Sequence, residues 1–304
     1  MKKVLFYTQN RWAFGSIHHA LAKELYKYGI IANLLDWTQQ YSPDEIRLLN
    51  DTYDLFVTNP EAVVHLNRLG IPPNKLATVA HGQWDMLLAR RDNGNIFYNE
   101  ISKFGVVSNV LKTKAAEFGI ERIPDVVPFG IHFDLFYRKP SDNLTRIGYG
   151  GAKETKNFFD LEIKRGHLVK QTVEKIPGIN LVEHGFYNWM CMPAYYNSVD
   201  AVVVSSIEES AGLPSMEAAA AGRLVLSTPV GYFTDYGPAG GGIILPLGHP
   251  NESEFCSALT ESLIFYQQNS DAYVQKCLEI QEFARETYDW KKHIESWVNF
   301  LSQN

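Results

Sequence analysis

Short apolar runs bounded by polar turns alternate along this chain with longer segments of helical period. VLFYT (4–8) precedes IHHALAKELYKYG (17–29) and IANLLD (31–36), and DLFVTN (54–59), LATVAHG (76–82) and FGVVSN (104–109) continue the series. Apolar runs of this length suit strands buried on both faces, and the helical segments between them suit the crossovers of a parallel sheet. RKPSDNLT (138–145) has the composition of a linker, and a second series follows it: RIGYGG (146–151), INLVEHG (179–185), AVVVSS (201–206) and RLVLST (223–228). From about Glu252 the pattern is helical and ends in the amphipathic WKKHIESWVNFL (290–301), with Trp290 and Trp297 on nearly one face.

A chain of 304 residues exceeds what one core usually serves. The fold expected is therefore α/β, with two Rossmann-like doubly wound parallel-sheet domains facing across a cleft. The expected bounds are 1–142 and 143–285, with a C-terminal helix over 286–304. No internal sequence repeat is visible, so the halves are expected to share architecture alone.

Hydrophobic residues make up 45% of the chain and charged residues 20%, as in ordinary globular proteins. The formal net charge is −6 and no Lys/Arg run stands out. Nucleic acid is thereby disfavoured as a partner, and membrane contact is expected to be peripheral at most. Cys191, Cys256 and Cys277 show no metal-type spacing and read as buried small hydrophobes in a reducing compartment. MKKVLFYTQN (1–10) reads as a first strand rather than a signal peptide, which makes a cytoplasmic location the expectation.

In open parallel sheets, ligands sit beyond the carboxyl ends of the strands. In the first half those ends carry Arg11, Trp12, Trp37, Asn59, Gln83 and Trp84. An indole face stacks on the C–H face of a sugar while amides bond its hydroxyls, so this mixture suits a carbohydrate. The competing account is that these tryptophans are partly buried packing residues.

The second half holds the sharper signal, SSIEESAGLPSMEAAAAG (205–222). A buried strand leads through small residues into a helix with Pro214 in its first turn, four alanines and a closing glycine. Amides at the start of such a helix make a site for phosphate or diphosphate, and Ser210, Ala211 and Gly212 admit a ligand close to the main chain. Glu217 is expected in the first turn, where its carboxylate accepts from a vicinal diol, and Glu209 is expected to face whatever hangs from the phosphate. The plainer account makes Glu217 a helix-dipole partner and Glu209 a solvated loop acid.

ESAGLPSME (209–217) followed by AAAAGRLVLSTPVG (218–231) resembles the E-x-F-G-L-P-x-x-E…A-x-G-x-P-V-V-x-S-x-V-G segment of the family-four retaining glycosyltransferases of GT-B fold. WAFGSIHHALAKELYKYG (12–29) looks like their glycine loop and first helix, and VVPFGIHFDLFYRKP (126–140) looks like their V-I-P-N-G-V-D…F-x-P strand. YDWKKHIESWVNFL (288–301) is similar to their closing helix, which crosses back onto the first domain. The resemblance implies a nucleotide-sugar donor, a UDP- or GDP-sugar first of all, held mainly by the second domain. It likewise implies a carbohydrate or glycolipid acceptor held mainly by the first. It assigns the ribose hydroxyls to Glu217, the donor sugar to Glu209, sugar and phosphate to the amides near Ala211, Gly212 and Leu213, the active-site histidine to His81, and the glycine pair to Gly15 and Ser16.

The family's diphosphate-neutralising Arg and Lys-Gly have no evenly spaced match here. Lys153 and Arg165, with Lys164 behind them, are the candidates. One βα unit of typical members, which helps hold the base, is also missing between INLVEHG and Tyr195–Asp200. No D-x-D motif occurs in the chain, so cations and helix amides rather than a metal are expected to stabilise the leaving diphosphate. The resemblance implies front-face attack, with His81 orienting and polarising. A nicotinamide oxidoreductase is disfavoured by the lack of G-x-G-x-x-G after the first strand. A GT-B nucleotide-sugar epimerase or hydrolase, and a non-catalytic sugar-binding protein, remain the alternatives.

Overall fold

The computed structural model describes residues 1–10, 13–150, 162–183, 188–236 and 241–302. The chain divides into two compact units, Met1–Gly130 with Trp290–Asn304, and Ile131–Asp289.

In the first unit the elements are β1 (Lys2–Thr8), α1 (Ala13–Tyr26), β2 (Ile30–Asp36), α2 (Pro43–Thr52), β3 (Leu55–Thr58), α3 (Pro60–Arg68), β4 (Leu76–Ala80), α4 (Gln83–Glu100), β5 (Lys103–Val106), α5 (Asn109–Glu117) and β6 (Asp125–Val126). Among the described residues they build a six-stranded sheet of order β2-β1-β3-β4-β5-β6, parallel throughout. The central strands are buried on both faces, as their unbroken apolar runs require: Val4, Phe6, Phe56, Leu76 and Val106 have no solvent access. Polar side chains set the helix starts. Ser42 and Glu45 form a reciprocal capping box on α2, and Ser108 caps α5 through a 3.2 Å bond from Leu111 N–H.

The second unit runs through α6 (Phe133–Phe136), β7 (Arg146–Tyr149), α7 (Gly166–Val173), β8 (Asn180–Val182), α8 (Met192–Ser198), β9 (Ala201–Val204), α9 (Leu213–Ala220), β10 (Leu224–Ser227), α10 (Tyr232–Asp235), β11 (Ile243–Ile244), α11 (Glu252–Gln268) and α12 (Ser270–Thr287). Its described strands form a five-stranded parallel sheet of order β11-β10-β9-β7-β8. Numbered within the unit, this is the same 2-1-3-4-5 arrangement as the first five strands of unit one. At the amino ends of β7 and β9, Asp200 accepts from Thr145 N–H (3.1 Å) and Arg146 N–H (2.8 Å) and pairs with the Arg146 guanidinium at 2.7 Å. That tie holds the edge opposite the functional end of the sheet.

The closing helix α13 (Trp290–Ser302) belongs to the first unit. There Trp297 Nε1 donates to Pro128 O at 2.8 Å, and its ring meets Phe6 edge-on at 6.2 Å. A Cβ on Gly105 would fall 2.8 Å from Val127 Cγ2 and 3.2 Å from the Phe300 ring, which accounts for the glycine in β5. Cys277 is buried as expected, whereas Cys256 is half-buried and Cys191 is exposed beside the start of α8. Among the described residues no helix is long and apolar enough to cross a membrane.

Candidate active site

In the second sheet the strand order reverses between β7 and β9, the position at which doubly wound sheets open a ligand crevice. The β9–α9 loop leaves from that point. Its shape is imposed from two sides. Gly212, at φ 80° and ψ 54°, turns the chain into α9 in the left-handed region that favours glycine. On the other side Tyr232 N–H donates to Ala211 O at 2.9 Å. Gly231 lies against the same carbonyl, since a Cβ there would sit 2.6 Å from Ala211 O. The Thr228 hydroxyl donates to Ser206 O and completes the tie. Ser210, Ala211, Gly212 and Leu213 are thus held on a rigid support at the N-terminus of α9, where first-turn amides lack intrahelical partners and favour an anion.

Beside this loop Lys164 Nζ forms an ion pair with Glu209 Oε1, and Ser206 Oγ donates to the same oxygen at 2.7 Å. The lysine is delivered by its backbone. Lys164 O accepts from Tyr149 Oη at 2.9 Å and Ser205 Oγ at 2.6 Å, and Ile163 O accepts from Ile207 N–H at 2.9 Å. A cation and a carboxylate therefore stand together, part-buried, next to a helix N-terminus. Glu209 is no solvated loop acid.

Glu217 lies in the second turn of α9, not the first, and is only 3% exposed. Tyr196 Oη donates to its Oε2 at 2.8 Å. Burial pushes the carboxyl up to about 8, and the Tyr196 bond pulls the other way. A helix-dipole role would leave the group in water, so burial at this depth favours a ligand-facing or packing carboxyl instead.

Arg165 departs from expectation. It has no solvent access to speak of, and its guanidinium donates to Ser205 O (2.8 Å), Gly248 O (2.9 Å) and Leu247 O (2.7 Å). Those bonds turn it away from a diphosphate role and make it a tie between the β9 exit and the 247–248 turn. Its own backbone is left-handed at φ 51°. Lys153 lies outside the described residues, as do Arg11 and Trp12.

In the first unit His81 follows β4 and packs among aromatic rings, Phe14 at 4.8 Å edge-on, Phe129 stacked at 5.7 Å and His18 at 6.0 Å. Burial depresses it to about 3, so it is neutral at physiological pH. His18, which the sequence reading passed over, shares a 2.8 Å hydrogen bond with Thr8 Oγ1 and is likewise held neutral by burial and by His81. Gly15 sits at the start of α1 against Asn10, whose carbonyl oxygen would lie 2.1 Å from an added Cβ; no other residue fits. Ser16 follows it, half-buried.

Of the residues expected to meet an acceptor, Trp37 packs its ring on Tyr7 (6.3 Å) and Phe14 (5.6 Å), so it contributes to the wall that carries His81. Asn59 is the N-cap of α3, accepting from Ala62 N–H at 2.9 Å, which gives its amide a structural partner. Gln83 and Trp84 open α4, both half-buried. Next to them Asp85, also passed over, is pushed up to about 6 by burial and by Glu61.

The family model for glycosyl transferases group 1 matches residues 103–264, more than half of the 304-residue chain. None of the curated proteins matches the sequence. Among solved structures, Anabaena HepE in complex with UDP-glucose is similar with a TM-score of 0.71 at 15% identity, over 99% of this chain and 100% of that one. Sucrose-phosphate synthase from Thermosynechococcus elongatus gives 0.76 at 12% identity, covering 98% of both. S. aureus TarM, in a complex with fondaparinux, alpha-GlcNAc-glycerol and UDP, gives 0.63 at 12% identity over 85% of this chain and 58% of that one. At such identities these likenesses concern the GT-B fold, while the family match bears on the residues of the β9–α9 loop themselves. The chain is a glycosyltransferase and belongs to the glycosyl transferases group 1 family.

Proposed function

We propose that the protein is a retaining glycosyltransferase that moves a hexose from a UDP- or GDP-sugar to a hydroxyl of a carbohydrate or glycolipid acceptor. The observation that carries this reading is the Lys164–Glu209 ion pair beside the left-handed Gly212 start of α9. A nucleotide-sugar donor asks for a cation and helix amides at its diphosphate and a carboxylate at its sugar, and these residues supply them within one loop. UDP-glucose in HepE and UDP in TarM favour a uridine donor.

In this reading the amides of Ala211, Gly212 and Leu213 receive the diphosphate, and Lys164 takes over the neutralising part first given to Arg165. Glu209, released from Lys164, accepts from donor-sugar hydroxyls, and Glu217 accepts from the ribose. Leaving-group charge is stabilised by Lys164 and the α9 dipole without a metal ion. A donor phosphate oxygen takes the acceptor proton in a front-face displacement. Neutral His81 bonds a sugar hydroxyl and orients it, while Trp37, Gln83 and Trp84 are assigned to the acceptor.

The test is incubation with a panel of nucleotide sugars, with and without sugar acceptors, in buffer containing a chelator. Nucleotide release that depends on an acceptor, and a product whose anomeric configuration matches the donor by NMR, are expected. Release without acceptor would make the protein an epimerase or hydrolase. No release with any donor would overturn catalysis.

A further inference from the structure

Tyr196 has no access to solvent and belongs to α8, a helix outside the loop that carries the recognisable motif. Its hydroxyl donates to Glu217 Oε2, and among the described residues it is the side chain hydrogen-bonded to that carboxyl. The phenol is itself fixed. Tyr196 O accepts from Arg223 Nε at 2.7 Å, Arg223 Nη1 donates to Lys139 O at 3.2 Å, and the Tyr196 ring packs edge-on against Phe136 at 5.9 Å. A buried chain of contacts thus ends on one oxygen of one carboxylate.

The chemistry of a vicinal diol explains it. An ionised carboxylate has acceptor sites on both oxygens, whereas a protonated one turns one oxygen into a donor and must compete for geometry with the diol. A donor hydroxyl held on Oε2 fixes the rotation of the group, leaves the acceptor sites of Oε1 for the diol and favours the ionised form that accepts charge-assisted bonds. We propose that Tyr196 is a positioning residue that sets the preference of this enzyme for a ribonucleotide over a 2′-deoxyribonucleotide, by holding Glu217 Oε2 so that the carboxylate receives the ribose diol. The proposal rests on the assignment of Glu217 to the ribose.

Other ionisable groups on the elements packed around α9 are engaged elsewhere or on other partners. Tyr195 bonds the β7 backbone, Asp200 pairs with Arg146, Tyr273 donates to Asp200 O, Lys276 pairs with Glu279, and Arg285 lies over the Phe133 ring; Asp134 on α6 and Cys277 with the exposed Asp271, Glu282 and Glu286 on α12 complete the set. Burial is the largest influence on Glu217 and Tyr196 is the one that opposes it.

Calorimetric titration of UDP and 2′-deoxy-UDP, or the guanosine pair if it binds more tightly, into wild type, Tyr196→Phe and Glu217→Gln between about pH 6 and pH 9 decides the matter. Wild type is expected to favour the ribonucleotide by roughly tenfold or more, with affinity rising as Glu217 ionises. In Tyr196→Phe the preference should shrink to within about threefold at neutral pH, and the pH midpoint should move up by about one unit. 3-Fluorotyrosine installed at 196, a stronger donor of the same shape, should move the midpoint down. A merely structural role would lower thermal stability and the competent fraction equally for both nucleotides, leaving ratio and midpoint unchanged, and that result overturns the proposal. Glu217→Gln with wild-type preference, or no nucleotide binding at all, would instead overturn the ribose assignment and the proposal with it.

Discussion

Gly231 stands so close to Ala211 that a Cβ on it would fall 2.5 Å from the Ala211 carbonyl carbon. Its backbone, at φ 59° and ψ −137°, is also one that L side chains rarely adopt. The strand-to-helix loop is therefore shaped partly by a residue nineteen positions downstream of Gly212.

Gly231→Ala is expected to displace the 210–212 loop as well as strain its own turn. The backbone penalty alone is about 1–3 kcal/mol. Thermal unfolding should show that loss, and donor turnover should fall further than stability does; full turnover in the folded variant would mean the loop does not contact the donor.

Replacing Arg165 separates structure from chemistry. Arg165→Ala leaves three carbonyls of the 205 and 247–248 segments without their donor. It should cost on the order of 3 kcal/mol or more in urea unfolding. Lys164→Ala, by contrast, is expected to weaken nucleotide binding by about 1.5–3 kcal/mol with little change in unfolding. The opposite pattern would restore Arg165 to the diphosphate.

Glu209→Gln should lower turnover more than it weakens binding of free nucleotide, because the carboxylate is assigned to the sugar. Parallel losses in calorimetry and in initial rates would contradict that role.

Glu217 and His81 tilt stability in opposite directions with pH. Glu217 is raised from 4.5 to about 8, so the folded state binds the extra proton. Its contribution is fully present below pH 4.5 and is lost as pH rises through about 8, on the order of a few kcal/mol in all. His81 is lowered from 6.5 to about 3, so its contribution is present above pH 6.5 and is lost as pH falls towards 3. Urea midpoints across this range should show Glu217→Gln flattening the alkaline limb and His81→Asn the acid limb. If neither limb changes, these groups are not buried in solution as they are here.

The strands were legible because apolar runs such as 201-AVVVSS are unbroken, and a strand buried on both faces leaves no other composition. β6 and β11, two residues each, are too short to carry any pattern; they exist because neighbouring strands offer a free edge. The loop acids were legible through the spacing of Glu209 and Glu217 around Gly212. Their partners were not. Tyr196 reaches Glu217 only through the fold, and Gly231, although it closes the quoted 218–231 segment, gives no sign in the sequence of its contact with Ala211. Arg165 misled for a related reason: a lysine-arginine-glycine run looks alike whether its arginine faces a ligand or its own main chain.

One consequence concerns the order in which the protein can be made. The second unit, Ile131–Asp289, is a single uninterrupted stretch, whereas the first is completed only by Trp290–Asn304. As the polypeptide leaves the ribosome, the usual precedence of the amino-terminal domain is therefore reversed: the nascent first sheet waits, with Phe6 and Pro128 lacking Trp297, while the second unit has all its sequence. A chain cut before residue 290 would keep the whole of the second unit, while Phe6 and Pro128 of the first would lose their contacts with Trp297.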